Sequence, residues 1–527
     1  GAMAEVTSGA VDEEALLLEG RHRAANEAGN GAETAFDVTK MTAKNCVNLW
    51  QFIGSIGMGI FFALYSDYAT DKICDGDDSQ GSLLATYAFV SYDLASFLSA
   101  PFFGTFSDTF GRRNLYLFSI ATGSILFIVI GEVPNKYAFV LSFAILGFCN
   151  GTSVLSYSIF VDFVMHMPAE AAGGAQDSYF NRFLFRVLRG LRSMDGVTPF
   201  ISRDGNSEAP SSSSPPTEPV DRQERAGRQL MDRLSVMYTV GWFYLMAGYV
   251  LGVVLGPILK NWLGIKLAIA TAGFVYMPAF VVLFLYLGET VPKTQKKELS
   301  VSSFWASLVE ALSSLQLLAS SGSLLVLSCA FFFLMLGFSG MMDVLMFWVE
   351  FKFGYYLDNS KHQSELYLVI ISGALFTAVM CNAFLYKIFD YHYTIAVVLA
   401  TGGIFAGILS TTRSVTMVIA GVFFVSWVVA VYPTLLALMT PSVSYAHQGH
   451  LQGSLNAVSS AALACGPVVF EYIFYDTIDD DMEGTQAARR NLIANSFWFA
   501  AMGCFLLSGA LIILAPAGNN LLGKFAV

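Results

Sequence analysis

Twelve stretches of this sequence run for a membrane's thickness with almost no charge, at about 47–65, 82–104, 115–131, 137–161, 237–259, 265–287, 323–349, 365–386, 394–410, 415–439, 453–475 and 491–515. An apolar run of about 17–25 residues has few homes besides a bilayer. There every backbone N–H and C=O must be satisfied within the segment, so each run is expected to be a helix. Composition agrees, with 55% hydrophobic and only 13% charged residues, where a soluble chain carries about 25% charged. The expected fold is an all-α membrane protein of twelve transmembrane helices in two six-helix halves. Its parts are a disordered cytoplasmic tail (1–46), an amino-terminal half (47–288) with a cytoplasmic insertion (164–234), a cytoplasmic linker (289–322), a carboxyl-terminal half (323–515) and a second cytoplasmic tail (516–527).

Between the second and third runs stands Gly104-Thr-Phe-Ser-Asp108-Thr-Phe-Gly111-Arg112-Arg113. Its glycines suit a close helix contact and a reversal that a Cβ would obstruct. Arginines at a membrane end mark the cytoplasmic side, and Asp108 offers them a fixed partner where water is scarce. The fourth run ends Tyr157-Ser-Ile-Phe-Val-Asp162, which returns an acid to the same face. The pattern resembles the loop between helices 2 and 3 of the major facilitator superfamily of secondary transporters, with Thr109 where that family usually has a basic residue. The resemblance implies a conformational role for Gly104, Asp108, Gly111, Arg112, Arg113 and Asp162: Asp108, Arg112 and Asp162 would latch the halves together when the cavity opens outward. The counterpart in the second half, Tyr386 to Asp390, keeps only Lys387 and Asp390 of the pattern.

Further stretches extend the resemblance over both halves. The fifth run carries Gly241, Gly248, Gly252 and Gly256-Pro257, a smooth helix face with a kink point. It resembles part of the fifth-helix signature of major-facilitator antiporters, although Lys260 and Asn261 replace the glycine pair that often follows. Gly252, Gly256 and Pro257 are therefore read as helix-packing residues. Gly288-Glu289-Thr-Val-Pro292-Lys293 is similar to the family's sixth-helix exit, and Gln448-Gly-His-Leu-Gln452-Gly453, running on to Gly466-Pro467, to the start of helix 11 in tetracycline-efflux-type proteins and their hippocampus-abundant-transcript-type relatives.

An ionisable group inside a bilayer costs roughly 2.5–3.5 kcal/mol on insertion scales, so each one calls for a functional hypothesis. Asp93, Asp343 and Glu471 are the proton-coupling candidates. Asp93 lies near the middle of its run and reads either as a proton-exchanging acid or as a hydrogen-bonded packing residue. Asp343 and Glu471 lie nearer the non-cytoplasmic ends, where facing the cavity, gating and simple solvation are competing roles. Gln51, Asn150, Tyr157, Trp242, Asn382, Trp427 and Asn456 are the substrate-binding candidates, because aromatic faces with a few amides and acids suit an organic solute better than a bare ion. The fourth-helix arginine of many proton-coupled relatives corresponds to Gly147 here, and no lysine or arginine stands mid-run. A neutral or cationic solute is expected.

Outside the runs, Asp12, Leu16 and Leu17 resemble an acidic dileucine sorting signal. That favours a eukaryotic lysosomal, vacuolar or endosomal membrane over the plasma membrane, with sorting adaptors as partners of the tail; the competing reading is a short helix with an apolar edge. In the insertion, Arg182, Arg186 and Arg189 share one face of an amphipathic helix over 179–192, suited to an anionic leaflet or to the bundle's own base. The net charge of −11 resides in tails and loops and points to no nucleic-acid partner. The seven scattered cysteines have no metal-ligand spacing. Neither enzyme activity, a cofactor nor a bound metal is expected. The sequence reads as a secondary active transporter of a small organic solute in contact with membrane lipids, with protons as a candidate coupling ion. An uncoupled facilitator and a non-transporting receptor or scaffold are the alternatives.

Overall fold

The computed structural model describes residues 32–133, 135–165, 219–291, most of 305–353, single positions between 370 and 385, and 390–444, 447–475 and 495–515. Eleven helices among the described residues are long and apolar enough to cross a membrane, and these residues include no strand. The eighth expected run, 365–386, lies almost wholly outside them, with Ile370, Gly373 and Thr377 helical. The twelve-helix expectation is thus met at eleven places. The outer part of the first tail, the whole second tail, the dileucine run, most of the insertion with its amphipathic stretch, and Asn382 also lie outside the described residues.

The first half contains α1 (Ala32–Tyr68), α2 (Asp78–Phe110), α3 (Arg112–Ile130), α4 (Lys136–Cys149), α5 (Thr152–Met165), α6 (Pro219–Leu263) and α7 (Ile265–Tyr286). The second contains α8 (Gly322–Phe353), α9 (Tyr391–Ser410), α10 (Val415–Val425), α11 (Val431–Met439), α12 (Gln448–Tyr475) and α13 (Ser496–Leu514). Two helices begin far ahead of their apolar runs: α1 at Ala32 and α6 at Pro219. Their leading turns are polar but rich in strong helix formers, which hydropathy does not register. Two runs are broken. The fourth splits into α4 and α5 at Asn150-Gly151, and a 3-10 turn over Ser426–Ala430 separates α10 from α11.

In lipid, apolar side chains gain little by leaving one hydrocarbon for another, so close backbone contact does the packing. On α6, a Cβ at Gly248 would meet the Phe52 carbonyl oxygen, one at Gly252 the Ile56 carbonyl oxygen and Gly59, and one at Gly256 the Cβ of Ala63. These contacts seat α6 along α1. Aromatic side chains fill the half behind them, Phe61 lying 4.6 Å from Phe127 and Trp50 lying 4.7 Å from Tyr276 between ring centroids. In the other half Trp348 packs edge-on to Trp498 at 5.3 Å and donates its Nε1–H to Asn495 Oδ1 at 2.8 Å. Beyond the membrane run, Lys352 at the end of α8 stands over Trp348 and donates to the Ser410 carbonyl, where burial lowers its pKa. Leu98, Ile125, Phe284 and Ile404 point outward, as lipid-facing positions must. The halves meet where α2 runs against α12 and α6 against α11, with α5 also touching α12.

Candidate functional site

The interface between the halves encloses a cavity of about 250 Å³. Its lining comes from both sides: Gln51 of α1, Asp93 of α2, Asn150 at the α4–α5 break, Tyr157 of α5, Trp242 of α6 and Asn456 of α12. Asp93 is only 8% exposed. The structure therefore gathers five of the seven substrate-binding candidates and one of the three acids around one space. Asn382 falls outside the described residues. Trp427 is not in the lining; it packs on Phe424 at 5.1 Å instead. The 3-10 turn that carries Trp427 advances three residues per turn, which sends Val428 and Val429 to the cavity and Trp427 away from it.

Local backbone chemistry explains the α4–α5 break. Asn150 leaves helical geometry at φ −87°, ψ 86°, and its Oδ1 accepts from the Thr152 hydroxyl at 2.6 Å and the Thr152 N–H at 3.3 Å. This is the side-chain capping by which Asn competes with helix continuation. The Asn150 side-chain amide donates through Nδ2 to the Tyr92 hydroxyl at the cavity wall. Nearby, a Cβ at Gly147 would strike the backbone carbonyl of Tyr92. The close α2–α4 contact thus leaves no room for an arginine at this position.

Several lining residues were not singled out from the sequence: Tyr92, Ser96, Met246, Tyr432, Ser459 and Ser460. Tyr432 bridges the halves, its ring 6.1 Å from Tyr157 and 5.4 Å from Phe331. Ser460 lies 3.1 Å from Ser96, hydroxyl to hydroxyl, which joins α12 to α2. A serine or tyrosine in an apolar run is common enough to carry no signal alone, although Ser96, three residues after Asp93, shares its helix face.

At the motif end lies a charged knot. Arg112, 3% exposed, contacts Asp162 Oδ2 at 2.6 Å and Asp108 Oδ1 at 3.1 Å, and it donates to the Ser158 carbonyl. Gly111 turns the chain from α2 into α3 at φ 101°, a conformation that L side chains avoid. Glu289, after α7, accepts from the Arg112 N–H at 2.9 Å and so caps α3. Arg113 donates to the Phe284 carbonyl at 2.8 Å. The second oxygen of Asp108 crosses between the halves and accepts from the His450 N–H in the first turn of α12 at 3.1 Å. Helix amino termini attract negative charge. Above this, a Cβ at Gly104 would meet the Gly449 carbonyl and Gly453, so α2 and α12 touch backbone to backbone. On the opposite flank Tyr238 of α6 lies 3.2 Å from the Thr440 hydroxyl, and Tyr391 donates to Asp232.

Asp343 and Glu471 are elsewhere. Neither lines the cavity. They face one another across α8 and α12 closely enough for their carboxyls to interact, and Thr86 of α2 donates to Glu471 at 3.3 Å. Of the roles left open for Asp343, cavity lining is set aside, because its position on α8 points to α12 at the end away from the motif.

No family model and no curated protein matched the sequence. Among solved structures, the crystal structure of the human organic anion transporter MFSD10 (TETRAN) is similar over 92% of this chain and 99% of its own, with a TM-score of 0.60 at 16% identity. The chain is a multi-pass membrane protein with the fold of major facilitator superfamily transporters.

Proposed function

We propose that this chain is a secondary transporter that moves a small neutral or cationic organic solute by alternating access. The observation that carries the reading is the shared cavity: residues of both halves line it together with Asp93, and at the motif end Asp108, held by Arg112 of its own half, also accepts from the amino terminus of α12 in the other. A site at the interface of two repeats becomes accessible to either side when one half rocks against the other. The knot at the motif end then belongs to the outward-facing arrangement.

The lining supports a substrate class. Asp93 supplies a carboxyl, and Tyr92, Tyr157, Trp242, Phe338 and Tyr432 supply aromatic rings. A cation beside aromatic faces gains on the order of 0.5–2 kcal/mol from each well-placed ring. The similar MFSD10 structure is titled an organic anion transporter, but among the described residues no lysine or arginine lines this cavity. An organic amine is the best fit. The carboxyls of Asp93, Asp343 and Glu471 are the groups through which protons would couple. Delivery to a lysosomal, vacuolar or endosomal membrane through the Asp12–Leu17 signal belongs to the same proposal.

The test is a thermal-shift screen of the purified protein against amines, vitamins, nucleosides, sugars and organic anions at mildly acidic and neutral pH. A ligand at 100 times its Kd raises stability by about 2.7 kcal/mol through mass action. Stabilisation by amines supports the reading. Stabilisation by anions alone would overturn the substrate class.

A further inference from the structure

A second cluster of donors lies at the motif end, outside the cavity and the knot. Glu310, His447 and His450 offer ligand atoms that all fall within 4.8 Å of one another. Glu310 belongs to the linker segment that precedes α8. His447 sits in the turn before α12, and His450 in its first helical turn. The imidazole rings stand 5.2 Å apart at 89°, and His450 Nε2 approaches Glu310 Oε1 to 3.7 Å.

We propose that these three residues form a binding site for a divalent transition ion of the zinc type, which clamps the linker onto α12. Two imidazoles and one carboxylate are the donor set that suits zinc rather than magnesium or calcium. Zinc bonds of about 2.0–2.1 Å place tetrahedral ligand atoms roughly 3.4 Å apart, so the 3.7 Å pair already has near-ligand spacing. His447 is exposed while His450 is buried. The solvent-facing imidazole is therefore free to turn inward, and its side leaves a fourth position for water. The His-x-x-His spacing puts both rings on one face of the helix start.

The clamp would tighten a seam that already exists. Ser454 of α12 donates to the Ser314 carbonyl of the linker at 2.9 Å, and Ser307 of the linker reaches Thr109 of α2 at 3.5 Å. His450 also supplies the N–H that holds Asp108. An ion here joins linker and α12 at the contact that must break before the motif end opens. Bound metal would accordingly hold that end shut; this consequence rests on the transport reading, whereas the binding itself does not.

The experiment titrates the chelator-stripped full-length protein with zinc by calorimetry and with cobalt(II) by visible absorption. One saturable equivalent of zinc is expected, with a cobalt spectrum of four-coordinate type. Losing even an outer-shell partner of a metal costs about 10–100-fold in affinity, so His447→Ala and Glu310→Gln should each weaken zinc by at least tenfold. Both variants should melt like the wild type without metal, since His447 is exposed and Glu310 half-exposed. No saturable binding, or equal binding by both variants, overturns the site whatever the protein transports.

Discussion

His450 donates its backbone N–H to Asp108 Oδ2 at 3.1 Å, while Arg112 holds Oδ1 of the same carboxylate at 3.1 Å. One buried acid thus belongs to both halves: it neutralises a cation of its own half and caps a helix of the other. Hydrogen bonds to charged groups contribute roughly 1.5–3 kcal/mol each, enough to shift a two-state equilibrium by about ten- to a hundredfold. Asp108→Asn keeps an acceptor but removes the charge. It should slow transport by that order while a solute still binds, as read by thermal shift. Wild-type rates in the variant would remove the latch from the mechanism.

Gly104 gives the steric counterpart. Any Cβ there would meet the Gly449 carbonyl and Gly453, and two helix backbones cannot yield as a flexible side chain can. Gly104→Val should keep α2 and α12 apart, so that a cysteine-reactive probe reaches positions near Ser96 from the motif side. Unchanged labelling would show that the glycine contact does not seal the cavity.

Asp93 is the acid of the cavity. For a cationic solute, Asp93→Asn removes its charge partner, and affinity should fall by about tenfold for each 1.4 kcal/mol lost. A neutral solute should be affected far less. Equal loss for both classes would mean that Asp93 holds the helices rather than the ligand.

Asp343 and Glu471 face each other, with Thr86 beside them, away from the cavity. If protons pass through this pair, Glu471→Gln should abolish the acceleration of flux by an imposed pH gradient yet leave solute exchange at equilibrium intact. Gradient-driven acceleration that survives in the variant would place coupling elsewhere; a wild type indifferent to pH would be an uncoupled facilitator.

The membrane runs were legible because lipid forbids charge and unpaired backbone, which leaves a long apolar signature at every span. The motif from Gly104 to Arg113 was legible because its turn needs specific residue types, as the φ of 101° at Gly111 shows. What hydropathy could not carry was phase and partnership. The Asn150 break, the 3-10 turn that rotates Trp427 off the cavity, and the pairing of Asp343 with Glu471 all depend on neighbours distant in sequence. Tyr432 and Ser460 were invisible for a related reason, since their residue types are ordinary in lipid-facing and cavity-facing positions alike. Glu289 was noticed only as part of a pattern; its cap on α3 emerges from the fold.

The most direct measurement is uptake of a radiolabelled organic amine, chosen from the thermal-shift screen, into liposomes reconstituted with the purified protein. Saturable uptake is expected, which Asp93→Asn and Asp108→Asn both reduce, the first through binding and the second through turnover. Tight binding of the amine with no uptake above protein-free liposomes, in either direction and with or without a pH gradient, would contradict it and leave a receptor built on a transporter fold.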